Sequence, residues 1–470
     1  EEDTILCVFN LSRSAQAVEL DLSGCAGRVP VEMLGGTSFP PIGQLPYLLT
    51  MPPYAFYWFV LAREHALPPW HVRAPEPLPD LRTLVLRGGV RDLLGDSVRH
   101  ELEAHVLPEY LPKRRWFAAK DERLLGVRLQ AIAPLPGTGG AVVMAEAEAS
   151  LPGRSERYAL PLASVEEIEG AGPLPAQLAL SRLRHGRRVG YLTDAFADDR
   201  MPGAVIAALR EGAVLPTSDG EIRFLGTSRL PEVTIPEQAE IRRLSAEQSN
   251  SSLILGDAVV LKILRKVSPG IHPEAEMTRH LTECGYANAP PLLGEVVRIA
   301  PDGTPNTLML VQGFVRNQGD GWGWTLDWLH RAVDEAALTA EAPEEPFAGY
   351  LPFARAIGQR LAELHAVLAR PCDDPAFAPE TAGEADREGW AAGVLAQLDP
   401  ALDLLAQRSG WTEDEARLVA DLLARREPLR GAVRRLAAAA GGALKTRLHG
   451  DFHLGQVLVA QGDEHLAEVE

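Results

Sequence analysis

The sequence predicts an α+β multidomain chain: a small antiparallel β-sandwich, then a mixed α+β region, then a helical region. Three observations carry this. Apolar and polar residues alternate with a period of two through much of residues 1–66, as half-buried strands require. Pro68, Pro69, Pro75, Pro77 and Pro79 then interrupt the chain, removing backbone donors and favouring extended structure. From about residue 353, apolar residues recur at three- and four-residue intervals. A chain of 470 residues also exceeds what one hydrophobic core usually supports.

In the first region Val18, Leu20 and Leu22 alternate with Glu19 and Asp21. Tyr54, Phe56 and Trp58 alternate with Ala55, Tyr57 and Phe59, an aromatic density that predicts a strand covered on both faces. Gly35-Gly36, Pro40-Pro41 and Pro52-Pro53 supply the turns. The expected boundaries are a sandwich over 1–66 and a proline-rich linker over 67–79. Beyond the linker, Thr83 to Arg87, Leu124 to Ile132, Ala141 to Ala147 and Tyr158 to Leu162 read as strands, with helices around Glu101 to His105 and Val205 to Leu209. This places one α+β domain at 80–175 and a second at 176–315. The helical domain spans 316–470. Phe353, Ile357, Leu361, Leu364 and Leu368 lay a stripe along one of its helices. Thr412 and Glu415 form a capping box for another, with Leu418 and Leu422 expected to face inward, and Gly441-Gly442 stops the helix ending at Ala437 to Ala440.

Composition excludes several classes. With 46 Lys+Arg against 64 Asp+Glu the formal charge is −18, which repels nucleic acid and anionic lipid. No apolar run is long enough to cross a bilayer, and Glu1-Glu2-Asp3 is unlike a secretory signal. Cys7, Cys25, Cys284 and Cys372 show no CxxC pair and read as reduced thiols of a cytoplasmic protein, the alternative being a Cys7–Cys25 disulfide.

The strongest chemical signal is His449-Gly450-Asp451-Phe452-His453-Leu454-Gly455-Gln456, followed by the apolar strand Val457-Leu458-Val459. Phosphoryl transfer needs a carboxylate for the acceptor hydroxyl and, five residues on, an amide oxygen for magnesium. Asp451 and Gln456 have that spacing. Upstream, Leu253 to Leu255, the turn Gly256-Asp257 and Ala258 to Ile263 read as a β-hairpin with Lys262 inside its otherwise apolar second strand. A buried ammonium needs an anion, which nucleotide phosphates and a helix-borne glutamate would supply. The helix after Pro269-Gly270 offers Glu274 and Glu276, with Glu276 the expected partner. Gln248 to Ser252 forms a polar turn in which Ser251 could cover phosphates. Thr307 to Val311 leads into Gln312-Gly313-Phe314-Val315, where adenine would lie against a hinge between two lobes. There is no GxGxxG, and Gly441 to Thr446 lacks the glycine before Lys445 that a Walker A loop requires. The expectation is a bilobal, protein-kinase-like fold.

These motifs resemble the maltokinases, relatives of the aminoglycoside phosphotransferases that phosphorylate maltose at its anomeric hydroxyl using ATP. Pro112-Lys113-Arg114-Arg115-Trp116-Phe117 is similar to the signature of the maltokinase N-terminal cap, which the resemblance places at 80–175. Val311 to Val315 with Gly319-Asp320-Gly321-Trp322 is similar to that family's hinge and following loop, and His449 to Gln456 to its catalytic loop. Residues 1–66 resemble the C-terminal β domain of trehalose synthases, chiefly at Val29-Pro30-Val31-Glu32-Met33 and Leu45-Pro46-Tyr47-Leu48-Leu49. The resemblance implies a piece of a trehalose synthase–maltokinase fusion on the route from trehalose to α-glucan, with the synthase's catalytic domain as partner and ATP and Mg²⁺ as cofactors. In that family an Asp-Phe-Glu segment one hairpin after the catalytic loop binds magnesium. The sequence reaches Glu470 before such a segment, with Asp463 and Glu468 nearby, so poor metal-nucleotide binding is expected, with an inactive fragment as the alternative. Two other readings stay open: a kinase for another sugar, amino sugar or aminoglycoside, and a non-enzymatic glucan-binding or assembly module using Tyr54 to Phe59.

Overall fold

The computed structural model describes residues 4–468 apart from 35–36, 44–45, 64–80, 87–91, 93–94, 168–172, 237, 245–248, 339–344, 346 and 461–465. The expected linker at 67–79, the Gly35-Gly36 turn, Gln248 and Asp463 lie outside the described residues. The chain divides into two compact units, Glu1–Arg82 and Thr83–Glu470.

The first unit pairs the strands Ile5–Phe9, Phe56–Arg63 and Arg28–Glu32 in one antiparallel sheet and Gln16–Leu20 with Tyr47–Met51 in another. Tyr47, Leu49, Phe59 and Leu61 are buried together between them. The strand Phe56–Arg63 is covered on both faces only toward its end, where Ala62 is buried with Val29 and Val31 opposite the Phe59 face, and not along the aromatic run as the sequence expectation had it. Phe56 and Trp58 remain 49% and 45% exposed beside Phe9, because period two sends them away from the face that buries Phe59. All four cysteines are free, which removes the disulfide alternative.

The second unit begins with an eight-stranded sheet. Its strands include Thr83–Val85, Gly126–Pro134, Val142–Leu151, Arg154–Ala159, Leu162–Glu166, Ala179–His185 and Arg188–Asp194, so the sheet runs on past the expected boundary at 175. The helix expected at Glu101 to His105 is present as a widened π turn, Leu102–Val106, that continues the α-helix Asp96–Glu101. A second, seven-stranded sheet contains Gly220–Gly226, Leu292–Ile299, Pro305–Gly313, Val259–Ile263 and Ser251–Leu255 in that neighbour order. The two sheets are not separate bodies. Lys266–Val267 leaves the second sheet and pairs with Arg157 and Tyr158 of the first. Val142 and Met144 share one core with Val205 and Leu209 of the helix Arg200–Glu211 and with Leu261 and Ile263. Two ion pairs are buried across the same junction, Arg298–Glu146 at 2.5 Å and Arg265–Asp194 at 2.8 Å.

The third part holds the helices Gly321–Leu338, Leu351–Leu368, Glu384–Gln407, Glu413–Ala424 and Arg426–Ala439. The predicted stripe buries Phe353, Leu364 and Leu368. The capping box forms: Glu415 N–H donates to Thr412 Oγ1 at 3.4 Å and Thr412 N–H to Glu415 Oε2 at 2.8 Å. Leu418 and Leu422, however, are 70% and 39% exposed. A capping box fixes where a helix starts and says nothing of which face meets a core. Among the described residues no helix is long and apolar enough to cross a membrane.

Candidate active site

The hairpin of Ser251–Leu255 and Val259–Ile263 turns through Gly256 and Asp257, with φ of 59° and 49°. Two left-handed residues give the turn whose twist matches paired strands. Alternation along the second strand sends Val259, Leu261 and Ile263 into the core and Lys262 to the opposite face. Lys262 is 4% exposed, and its Nζ lies 3.3 Å from Glu274 Oε2 and 3.4 Å from Oε1. The register sets Lys262 opposite Leu310 and Val260 opposite Gln312, so Lys262 and Gln312 share a face as diagonal neighbours. Gln312 Nε2 reaches the same Glu274 Oε1 at 3.5 Å.

The lysine's partner is therefore Glu274 and not Glu276. Residues two apart on a helix point roughly 200° from one another, so only one of the two can face the lysine. The helix Pro273–Glu283 turns Glu276 away to Arg447, whose Nη2 meets Glu276 Oε2 at 2.5 Å. His272, at the N-cap, sits close enough to Lys262 for burial first, and then the lysine's charge, to push its imidazole below the usual range and hold it neutral. Its Nδ1 is buried with no hydrogen-bond partner among the described residues. Sequence reasoning missed His272 and Arg447.

Ser251 lies at the sheet junction. Its Oγ accepts a 2.8 Å hydrogen bond from Arg265 Nε, which leaves its O–H as a donor. At the strand exit, Gly313 N–H donates to Pro291 O and Phe314 N–H to Ala258 O, both at 2.9 Å. Phe314 thus offers a ligand its carbonyl but not its N–H, and its ring carries the Arg242 guanidinium 5.7 Å from the centroid.

The segment 449–456 folds back on its own histidines. Gly450 takes φ 88°, a left-handed turn that favours glycine. Asp451 N–H donates to His449 Nδ1 at 3.3 Å, and Gly455 N–H to His453 Nδ1 at 3.0 Å. The other ring nitrogen of His453 then faces Asp451 Oδ2 at 3.9 Å and the Gln456 side-chain amide at 3.5 Å. Asp451, His453 and Gln456 are therefore one cluster, with the Asp451 side chain 87% exposed. Among the described residues no three His, Cys, Asp or Glu side chains gather as a metal site. Asp451 and Gln456 nevertheless supply a carboxylate and an amide oxygen, the hard donors that suit magnesium.

The support beneath this segment is aromatic. Phe353 and Val457 pack with Trp324, Tyr350 and Phe452, and the Trp324 and Phe353 rings stack with centroids 4.1 Å apart. Gly321 opens that helix against the segment: a Cβ there would stand 2.9 Å from the Leu454 carbonyl oxygen. Gly321→Val is accordingly expected to cost about 1–3 kcal/mol of stability by overpacking. It should also displace Leu454 and depress turnover more than nucleotide affinity, which thermal melting and steady-state kinetics would check.

Comparison with known proteins fits this geometry. Residues 240–467 match the phosphotransferase enzyme family. Those residues are just under half of the chain. Residues 110–198 match the maltokinase N-terminal cap domain, which agrees with a first sheet that runs on to Asp194, and residues 1–58 match the C-terminal domain of maltogenic amylase. The order is that of a trehalose synthase–maltokinase fusion. A trehalose synthase of a Pimelobacter strain is 62% identical over 60 residues, 13% of this chain and 10% of that enzyme. A glucosamine kinase of Mycolicibacterium smegmatis is 31% identical over 222 residues, 47% of this chain and 49% of that one. The chain thus spans at most about half the length of these two relatives. A solved glucosamine kinase bound to glucosamine, ADP and inorganic phosphate aligns at 21% identity with a TM-score of 0.47, over 77% of this chain and 71% of that one.

Proposed function

We propose that this chain is an ATP-dependent sugar kinase and that its acceptor is maltose. The observation carrying the reading is the buried Lys262–Glu274 pair on the strand face shared with Gln312, in a chain whose exposed Asp451 lies five residues before Gln456. The desolvated ammonium beside Glu274 sets positive charge on that strand face, where a phosphate oxygen would meet it. Adenine would lie along the strand exit at Gln312 to Phe314, taking hydrogen bonds from backbone groups beyond those tied to Pro291 and Ala258. Asp451 would orient the sugar hydroxyl and accept its proton as the phosphorus–oxygen bond forms, and the phosphoryl group would leave ADP behind. Gln456 would hold magnesium, which when bound spreads the charge of the phosphates. Positioning and charge neutralisation are most of what a loose phosphoryl-transfer transition state needs.

Maltose is favoured by the maltokinase cap match. The glucosamine kinase relative favours a second reading in which the acceptor is an amino sugar. A coupled ATPase assay with maltose, glucose, glucosamine and kanamycin would separate them. Maltose is expected to give the highest kcat/KM, glucosamine in first place would move the acceptor, and ATP turnover unaffected by any of them would end the kinase reading. On the proposed reading the trehalose synthase catalytic domain supplies the sugar, in the cytoplasm.

A further inference from the structure

We infer that Arg447, held by Glu276, is a positioning residue that fixes the segment 449–456 against the helix bearing the partner of Lys262. This rests on the proposed kinase function. The helix Pro273–Glu283 faces two ways: Glu274 meets Lys262, while Glu276 and His280, one turn apart, face the helical lobe. Arg447 lies four residues before Asp451 and is gripped twice. Its Nη2 is 2.5 Å from Glu276 Oε2, and its guanidinium lies 5.1 Å from the centroid of the Phe377 ring. Phe377 is 2% exposed and stacks on His280 at 3.8 Å with an interplanar angle of 1°. One buried ring thus links the helix to the arginine through His280, while Glu276 links them directly.

The helix itself is anchored to the same lobe. Leu281 and Tyr286 pack on Leu364, Val367 and Leu368, and Tyr286 Oη donates to the Arg360 carbonyl at 3.0 Å. Burial pushes the His280 imidazole below its usual range, so it stays neutral beside a guanidinium that would otherwise repel it. The Arg447 and Glu276 side chains keep 37% and 21% exposure, so solvent screens their attraction and the fork's geometry matters more than its strength. Lys262 and Asp451 belong to different lobes, and this contact sets one against the other.

The test uses Arg447→Met, Glu276→Gln and their combination in the protein. Each single change is expected to lower kcat for the sugar by roughly 10–100-fold, the cost of a small misplacement, with KM for ATP and the melting temperature little changed. The double variant should be no worse than the poorer single, as groups acting through one contact are non-additive. Amide hydrogen exchange across 449–456 should accelerate in both singles, and the swapped pair Glu276→Arg with Arg447→Glu should slow it again. Arg447→Lys, which keeps the charge and loses the fork, replaces any variant too unstable to purify and should fall between. Unchanged exchange at 449–456, or losses that multiply in the double variant, would overturn the inference. Faster exchange in a protein whose unmutated form phosphorylates no sugar would leave the brace standing and remove the kinase reading instead.

Discussion

Asp451→Asn is expected to reduce sugar phosphorylation by roughly 10³-fold, the usual range for loss of a general base, while nucleotide binding stays nearly unchanged. The substitution keeps the side chain's size and removes its ability to take a proton. The backbone contacts that shape the turn do not depend on the carboxylate, since the Asp451 N–H donates to His449 and the Gly455 N–H to His453. Lys262, Glu274 and Gln312 lie on other elements and should hold nucleotide as before. Steady-state kinetics beside a fluorescent-nucleotide titration would separate the effects. Equal loss of turnover and nucleotide affinity would mean that Asp451 shapes the segment and does not act on the acceptor.

What could be read in advance was whatever short-range chemistry determines. The hairpin around Lys262 was legible because Gly256-Asp257 demands a particular turn and strand alternation then assigns each side chain a face. The spacing from Asp451 to Gln456 was legible because a turn of six residues holds its ends close whatever surrounds it. The choice between Glu274 and Glu276 was not, since it depends on the rotational setting of a helix whose first turn reads Pro-Glu-Ala-Glu and offers an acid on two sides. Nor was the fate of Ser251. Its partner Arg265 is buried by strands more than 60 residues upstream, and no local pattern announces that a polar turn will be roofed by another sheet. Trp58 and Leu418 failed for a related reason: periodicity identifies a face, and only tertiary packing decides whether anything covers it.

The same junction should give the largest stability effect in the chain. Arg265 is 1% exposed, three residues after Lys262, and carries Asp194 at 2.8 Å, the Ala159 carbonyl at 3.2 Å, Ser251 Oγ at 2.8 Å and the Trp116 ring at 5.0 Å. Trp116 belongs to the Arg-Trp-Phe run that singled out the cap, so that signature has a physical use: it roofs the arginine that ends the lysine strand. Asp194→Ala leaves a guanidinium desolvated with no carboxylate and also removes the acceptor for Phe196 N–H at 3.0 Å. The expected loss is about 3–5 kcal/mol, the cost of breaking a buried pair from one side. By contrast, Glu122→Ala, which breaks the exposed pair with Arg154, should leave the melting temperature nearly unchanged because water and salt already screen it. Calorimetry would show the transition of the second unit lowered in Asp194→Ala, with the 1–82 unit melting as before. Replacing both partners, Asp194→Leu with Arg265→Met, should recover much of the loss, since it is the stranded charge and not the missing attraction that destabilises. An Asp194→Ala protein that melts with the unmutated chain would mean that water reaches Arg265, and the cap would then place no constraint on Lys262.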